Sequence, residues 1–194
     1  MDAAVAKGEP GSPGVNEAHA DGKTPLCTAC TKRHSECVRL LLGTPGIDVN
    51  RADEDGETPL YWASSDGHLE VVKLLLAAPG IDVNRANKDG KTPLYVASQK
   101  GDLEVVELLL AAPGICVLHR DKEGKSARDV AVSAEVATLL DEVVDVKRTF
   151  GALLLTLAHR GISRRMAAHL AMHGLPSMGA KAMAVRMRDT WPAA

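Results

Sequence analysis

The hexapeptide Asp-Gly-x-Thr-Pro-Leu begins at Asp21, Asp55 and Asp89, and a degenerate fourth version begins at Glu123. Each start lies 34 residues after the one before. A strict period of that length constrains the chain more than any other feature, because it makes the fold a stack of one supersecondary unit. A single unit cannot bury its apolar face alone and has to lean on its neighbours. The product is a solenoid, which offers a long surface to partners and rarely converges polar groups into an active site.

The third copy shows how the unit folds. Thr92 is placed to cap a helix whose first position is Pro93, where the missing N–H leaves no bond unmade. Leu94 and Ala97 follow at helical spacing, and Gly101 predicts a left-handed stop. Leu103, Val105, Val106, Leu108, Leu109 and Leu110 make a second helix, apolar on most sides and therefore expected between layers. Pro113-Gly114 ends it, and the polar stretch from Ile115 to Gly124 is expected to project as a hairpin-like loop. Hydrophobic residues are 45% of the chain but aromatics only 3%, so Leu, Val and Ala must form the core.

Thr-Pro-Leu followed by Gly67-His-Leu-Glu-Val-Val-Lys-Leu-Leu-Leu resembles the ankyrin repeat, and the resemblance runs from about Val15 to Leu140. It implies an all-α solenoid of stacked helix-turn-helix units with hairpin loops. Four repeats are expected over 14–144, the last a shortened cap (Ser126-Ala-Arg-Asp-Val-Ala, then Val136-Ala-Thr-Leu-Leu). Where the family has a His after Thr-Pro-Leu that links neighbouring loops, this chain has Cys27, Tyr61 and Tyr95. Arg33 stands where Gly67 and Gly101 stand in the next copies, so the first helical turn is expected to be strained. Gly14-Val15-Asn16-Glu17-Ala18 echoes Asp48-Val49-Asn50-Arg51-Ala52, the tail of a repeat. That leaves either a stack starting on a bare hairpin or a fragment of a longer array. Residues 1–13, rich in Gly, Pro and Ala, are expected to be disordered.

The resemblance also implies where partners touch: the hairpin tips and the inner helices, at positions that vary between copies. In the first copy these are Ala18, Ala20, Asp21, Lys23, Thr31 and Lys32. The candidate protein-binding set is Glu54, Asp55, Glu57, Trp62, Ser65 and Asp66 in the second copy, Lys88, Asp89, Lys91, Gln99 and Lys100 in the third, and Arg120 and Lys122 in the cap. The second copy is acidic and the later ones mixed to basic, a gradient that would steer a charged partner. Solvated charges on the same faces would look alike. Tyr61, Trp62 and Tyr95 are the large aromatics of the array, and inter-layer packing is the favoured role for residues at these positions.

Cys27-x-x-Cys30-x3-His34-x2-Cys37 offers four zinc-type ligands within eleven residues. Alignment of the copies puts them at the places of Tyr61, Ser64, His68 and Val71, which are structural positions, so no metal and no cofactor is expected. No phosphate-cradling Gly loop, Gly-x-Ser-x-Gly or His-Glu-x-x-His is present, and no catalytic residues or enzymatic activity are expected. The longest apolar run, Ala152–Ala158, falls far short of the roughly 20 residues a bilayer span needs. A monomer in the nucleus or cytoplasm is the expectation, bound to a protein partner whose identity the repeats leave open.

The net charge of −2 hides a division. Residues 147–194 carry eight Lys and Arg against the single acid Asp189, leaving 15 basic and 24 acidic groups in the rest. After a connecting helix over 145–160, the 161–194 segment reads as two short helices broken at Gly174-Leu175-Pro176. Met166, Leu170, Gly174, Leu175, Pro176, Gly179, Lys181, Ala182 and Arg186 resemble the SAP motif, a small DNA-binding helical unit; beyond Ala182 the pattern runs one residue early. The resemblance implies DNA as a partner, with Arg164, Arg165, Lys181, Arg186 and Arg188 as phosphate contacts. Two other readings stay open: a helical cap whose basic face pairs with the acidic array, and a basic amphipathic helix on an anionic membrane.

Overall fold

The computed structural model describes residues 14–19 and 22–145, and the chain divides into two compact units, Met1–Leu140 and Asp141–Ala194. The described residues of the first form three helix pairs: α1 (Pro25–Thr31) with α2 (Ser35–Leu42), α3 (Pro59–Ser65) with α4 (Leu69–Leu76), and α5 (Pro93–Lys100) with α6 (Leu103–Ala111). Residues 134–140 begin a seventh helix, and the described part of the second unit, 141–145, is helical as well. Among the described residues there is no β-strand, only an isolated antiparallel bridge between Arg120 and Ser126. The architecture is the all-α repeat solenoid that the period requires.

The Thr-Pro step starts each inner helix in the same way. Thr24, Thr58 and Thr92 accept the N–H of Cys27, Tyr61 and Tyr95 at 3.1, 3.1 and 3.2 Å, with proline opening each helix. The caps themselves are buried. The second and third inner helices end in a left-handed glycine, Gly67 at φ 67° and Gly101 at φ 80°. Arg33 adopts the same turn at φ 58°, a conformation that a side chain resists. The bond that closes the turn is nonetheless made in all three copies: the N–H of His34, His68 and Asp102 donates to the carbonyl of Ala29, Ala63 and Ala97.

Inner helices α1, α3 and α5 stack on one another, as do outer helices α2, α4 and α6. Leu26, Leu60 and Leu94 fill the inner row. In the outer row an i, i+4 pair recurs, Val71/Leu75, Val105/Leu109 and Val136/Leu140, and all six side chains are buried. The first layer breaks the series, with Cys37 exposed and Leu41 half-buried. An i, i+4 pair is thus buried by the layer before it, and no layer precedes the first among the described residues. The alignment of Cys37 with Val71 predicts a structural role for its side chain; the structure corrects this, because burial here belongs to the layer and not to the residue.

An asparagine ladder ties the repeat tails together. Asn16, Asn50 and Asn84 each donate their amide to the carbonyl of Gly46, Gly80 and Gly114 at 2.7–2.8 Å. Each also accepts the N–H of Asp48, Asp82 and Cys116 at 2.8 Å. Residues 14–19 therefore sit in repeat register with no helix pair before them among the described residues. The next rung position holds Leu118, exposed, and the ladder stops there. In the shortened fourth copy residues 127–130 form turns in place of an inner helix, pinned by Ser126, whose N–H and hydroxyl both donate to Asp129. The segments 1–13 and 146–194 lie outside the described residues, and with them the expected disordered N-terminus and basic tail.

Candidate partner-binding surface

Each hairpin tip is organised by one short polar side chain. Asp53 Oδ1 accepts the N–H of Asp55 and Glu57, Asn87 Oδ1 that of Asp89 and Lys91, and Asp121 Oδ1 that of Glu123 and Lys125, all at 2.8–3.1 Å. Such a side chain mimics a backbone turn and holds the tip open to solvent. The tips then join: Lys88 N–H donates to Asp55 O and Lys122 N–H to Asp89 O, both at 2.9 Å. This close approach explains Gly90, where an added Cβ would lie 3.1 Å from the Asp121 Cα. The tips therefore form a continuous rim, tied by backbone hydrogen bonds.

Glu54, Asp55, Lys88, Asp89, Arg120 and Lys122 lie along this rim and are all exposed; Glu57 and Lys91 are half-buried beside it. On the inner helices Asp66, Gln99 and Lys100 are exposed, while Ser65 and Trp62 are half-buried. The ion pairs that the rim makes are Lys91 to Asp89 at 3.6 Å, Lys125 to Glu123 at 2.9 Å and Arg120 to Asp129 at 3.5 Å. Pairs this exposed contribute little to stability and leave the charges available.

The aromatics separate into two roles. Tyr61 and Tyr95 are buried between layers. The Tyr95 hydroxyl donates to Asp121 Oδ2 at 2.7 Å, so tyrosine does here the loop-linking that histidine does in the resembled family. Burial and this bond to a carboxylate push the Tyr95 phenol up to about 12, and the same bond holds Asp121 below the usual carboxylate range. Burial pushes the Tyr61 phenol up too, with Glu57 beside it; burial likewise raises Glu57, against the bond that Asn87 donates to it at 3.3 Å. Trp62 instead sits at the surface. Its indole N–H donates to Asp53 Oδ2 at 2.9 Å, the Lys23 ammonium lies 3.7 Å from the ring centroid, and Tyr61 meets it edge-on.

Asp53 is the residue that the sequence reading missed. It organises the acidic tip with one oxygen and anchors the tryptophan with the other. The signal was its alignment with Asn87 and Asp121, each of which starts a tip.

The four zinc-type residues are not brought together. Cys27 and Cys30 are buried on α1, whereas His34 and Cys37 are exposed. Burial raises both α1 thiols, which disfavours the thiolate that a metal or a nucleophile would need. Among the described residues no group of three or more His, Cys, Asp or Glu is placed to hold a metal. No helix among them is long and apolar enough to cross a membrane. Arg164, Arg165, Lys181, Arg186 and Arg188 lie outside the described residues.

Two family models match the chain: ankyrin repeats in three copies over residues 5–87, and ankyrin repeats in many copies over 80–131. No curated protein matches it in sequence. Both matches end before the basic segment, and the SAP-like resemblance draws no support from them. Together they span residues 5–131, more than half of the chain's 194 residues, on the same units that the Thr caps, left-handed turns and asparagine rungs define. The chain belongs to the ankyrin-repeat proteins.

Proposed function

We propose that this chain is a non-enzymatic adaptor in the nucleus or cytoplasm. Its array grips a protein partner along the rim of tips and the neighbouring inner helices, and its basic C-terminal segment holds that partner near DNA. Ankyrin repeats generally mediate protein–protein interaction, which supports the first half. The observation that carries it is the rim, a rigid line of tips whose charge passes from the acidic Glu54-Asp55-Glu57 tip to the mixed Lys88 and Lys122 tips, with Trp62 at its acidic end. A half-buried tryptophan held by a carboxylate and a cation is pre-organised, and such aromatics dominate binding energy at interfaces. The acidic end favours a partner segment rich in Lys and Arg.

A displayed random-peptide library selected on the wild-type chain tests this. Recovered peptides are expected to be basic at one end. Their affinity is expected to fall at least about tenfold on the Glu54→Lys/Asp55→Lys variant, from the reversal of two exposed charges. Peptides that bind both proteins equally, or show no basic bias, would remove the rim as the partner site.

A further inference from the structure

Trp62 carries a cation that belongs to the chain itself. The Lys23 ammonium lies 3.7 Å from the ring centroid, while the indole N–H is bound to Asp53 Oδ2 at 2.9 Å and Tyr61 meets the ring edge-on. Asp53 and Tyr61 belong to the second copy of the repeat, Lys23 to the first. The first tip delivers that side chain at close range: a Cβ added at Gly22 would lie 2.5 Å from Glu54 Cγ, and the Lys23 carbonyl accepts the His19 N–H at 2.9 Å. The repeat itself does not ask for this pair. One step along the array the same two positions hold Glu57, which accepts the Asn87 amide, and Val96, which is buried. The two polar contacts on Trp62 also differ in how readily they give way. Asp53 is short, and its other oxygen is locked into its own tip, so the ring keeps its place. Lys23 reaches the ring on a flexible four-carbon stem. A cation on an aromatic face is worth about two- to fivefold in an equilibrium at an exposed site and about thirtyfold once desolvated.

We propose that this face of Trp62 is the seat for a cationic side chain of the partner, an arginine or lysine, and that Lys23 is a stand-in which the partner displaces. The proposal rests on the reading of the rim and inner helices as the partner surface. Lys23 shows the chemistry that the ring accepts, and the exposed carboxylates of Glu54 and Asp55, on the tip that Asp53 organises, attract the rest of a basic segment. A partner's cation breaks the stand-in's exposed contact and makes a desolvated one, while the Lys23 ammonium returns to water. The stand-in also adds selectivity. A partner that offers an apolar side chain has to remove a cation from the ring and supplies none in return, so the seat discriminates against it. Lys23 thus sets both the affinity and the specificity of the acidic end without touching the partner.

The test is a double-mutant cycle on the full chain, read by the anisotropy of fluorescein-labelled tetra-arginine amide. Lys23→Gln clears the face and is expected to tighten binding by about two- to fivefold, a gain that damage to the fold cannot produce. In the Lys23→Gln background, Trp62→Leu is expected to weaken binding at least about tenfold, with its circular dichroism unchanged. In a Trp62→Leu background, Lys23→Gln should gain less, since only its charge is then being removed. A Lys23→Gln protein that binds no more tightly than wild type overturns the proposal. So do equal gains with and without Trp62, which would make Lys23 a matter of net charge alone. If binding falls on the Glu54→Lys/Asp55→Lys variant but is indifferent to Trp62, the rim stands as the partner surface and the seat fails. If the peptide depends on neither, or does not bind, both readings fail.

Discussion

At the scale of single residues, Tyr95 and Asp121 show how one hydrogen bond sets pH behaviour between repeats. The hydroxyl and carboxylate lie 26 positions apart and meet at 2.7 Å in a buried site. Folding raises the tyrosine from its ordinary 10.0 to about 12, so its contribution is complete below pH 10 and is lost as pH rises toward 12. Folding lowers Asp121, so its contribution is present above the ordinary carboxylate range and disappears as pH falls through the depressed value. Tyr95→Phe should therefore destabilise the protein at neutral pH and flatten both arms, the alkaline one most visibly between pH 10 and 12. Melting temperatures over pH 3–12 check this; parallel curves for the two proteins would show that the bond does not set the pH dependence. Neither partner announces the other in the sequence. Tyr95 was legible as an inter-layer aromatic, but its bond crosses from one repeat to the next tip, and periodicity says nothing about such pairs. The same holds for Asp53 and Trp62.

At the scale of the element, what was legible is what local chemistry decides. Thr92 and Pro93 specify a helix start, and Gly101 its stop, because capping and left-handed backbone are properties of a few adjacent residues. The cost of Arg33 was legible for the same reason. A left-handed residue with a side chain is strained by about 1–2 kcal/mol, and glycine gives back part of the gain as lost unfolded-chain entropy. Arg33→Gly should stabilise the protein by roughly 0.5–1 kcal/mol, seen as a higher urea midpoint at unchanged slope. An unchanged or lower midpoint would mean that the Arg33 side chain makes interactions worth more than the strain. Burial was less legible, since Cys37 and Val71 hold the same position in α2 and α4, and among the described residues only Val71 has a layer before it.

At the scale of the whole molecule, charge is divided more sharply than apolar character. Residues 147–194 carry eight basic groups and one acid, and the remainder is acidic by nine. A basic segment attached to an acidic body has two opposed uses. If it neutralises phosphates, it binds duplex DNA, and the affinity falls steeply with salt as counterion release gains less. If it pairs with its own array, phosphate binding is weak and removing its charges changes stability instead. The Lys181→Ala/Arg186→Ala variant separates them. Under the adaptor reading, anisotropy of labelled duplex DNA shows salt-sensitive binding by the full chain. The variant then binds several-fold more weakly, with the salt slope reduced by about 2, roughly one for each phosphate-binding side chain removed, and the melting temperature stays the same. A lower melting temperature with no DNA binding by either protein would make the segment a cap, and leave the rim of tips as the functional surface of the array.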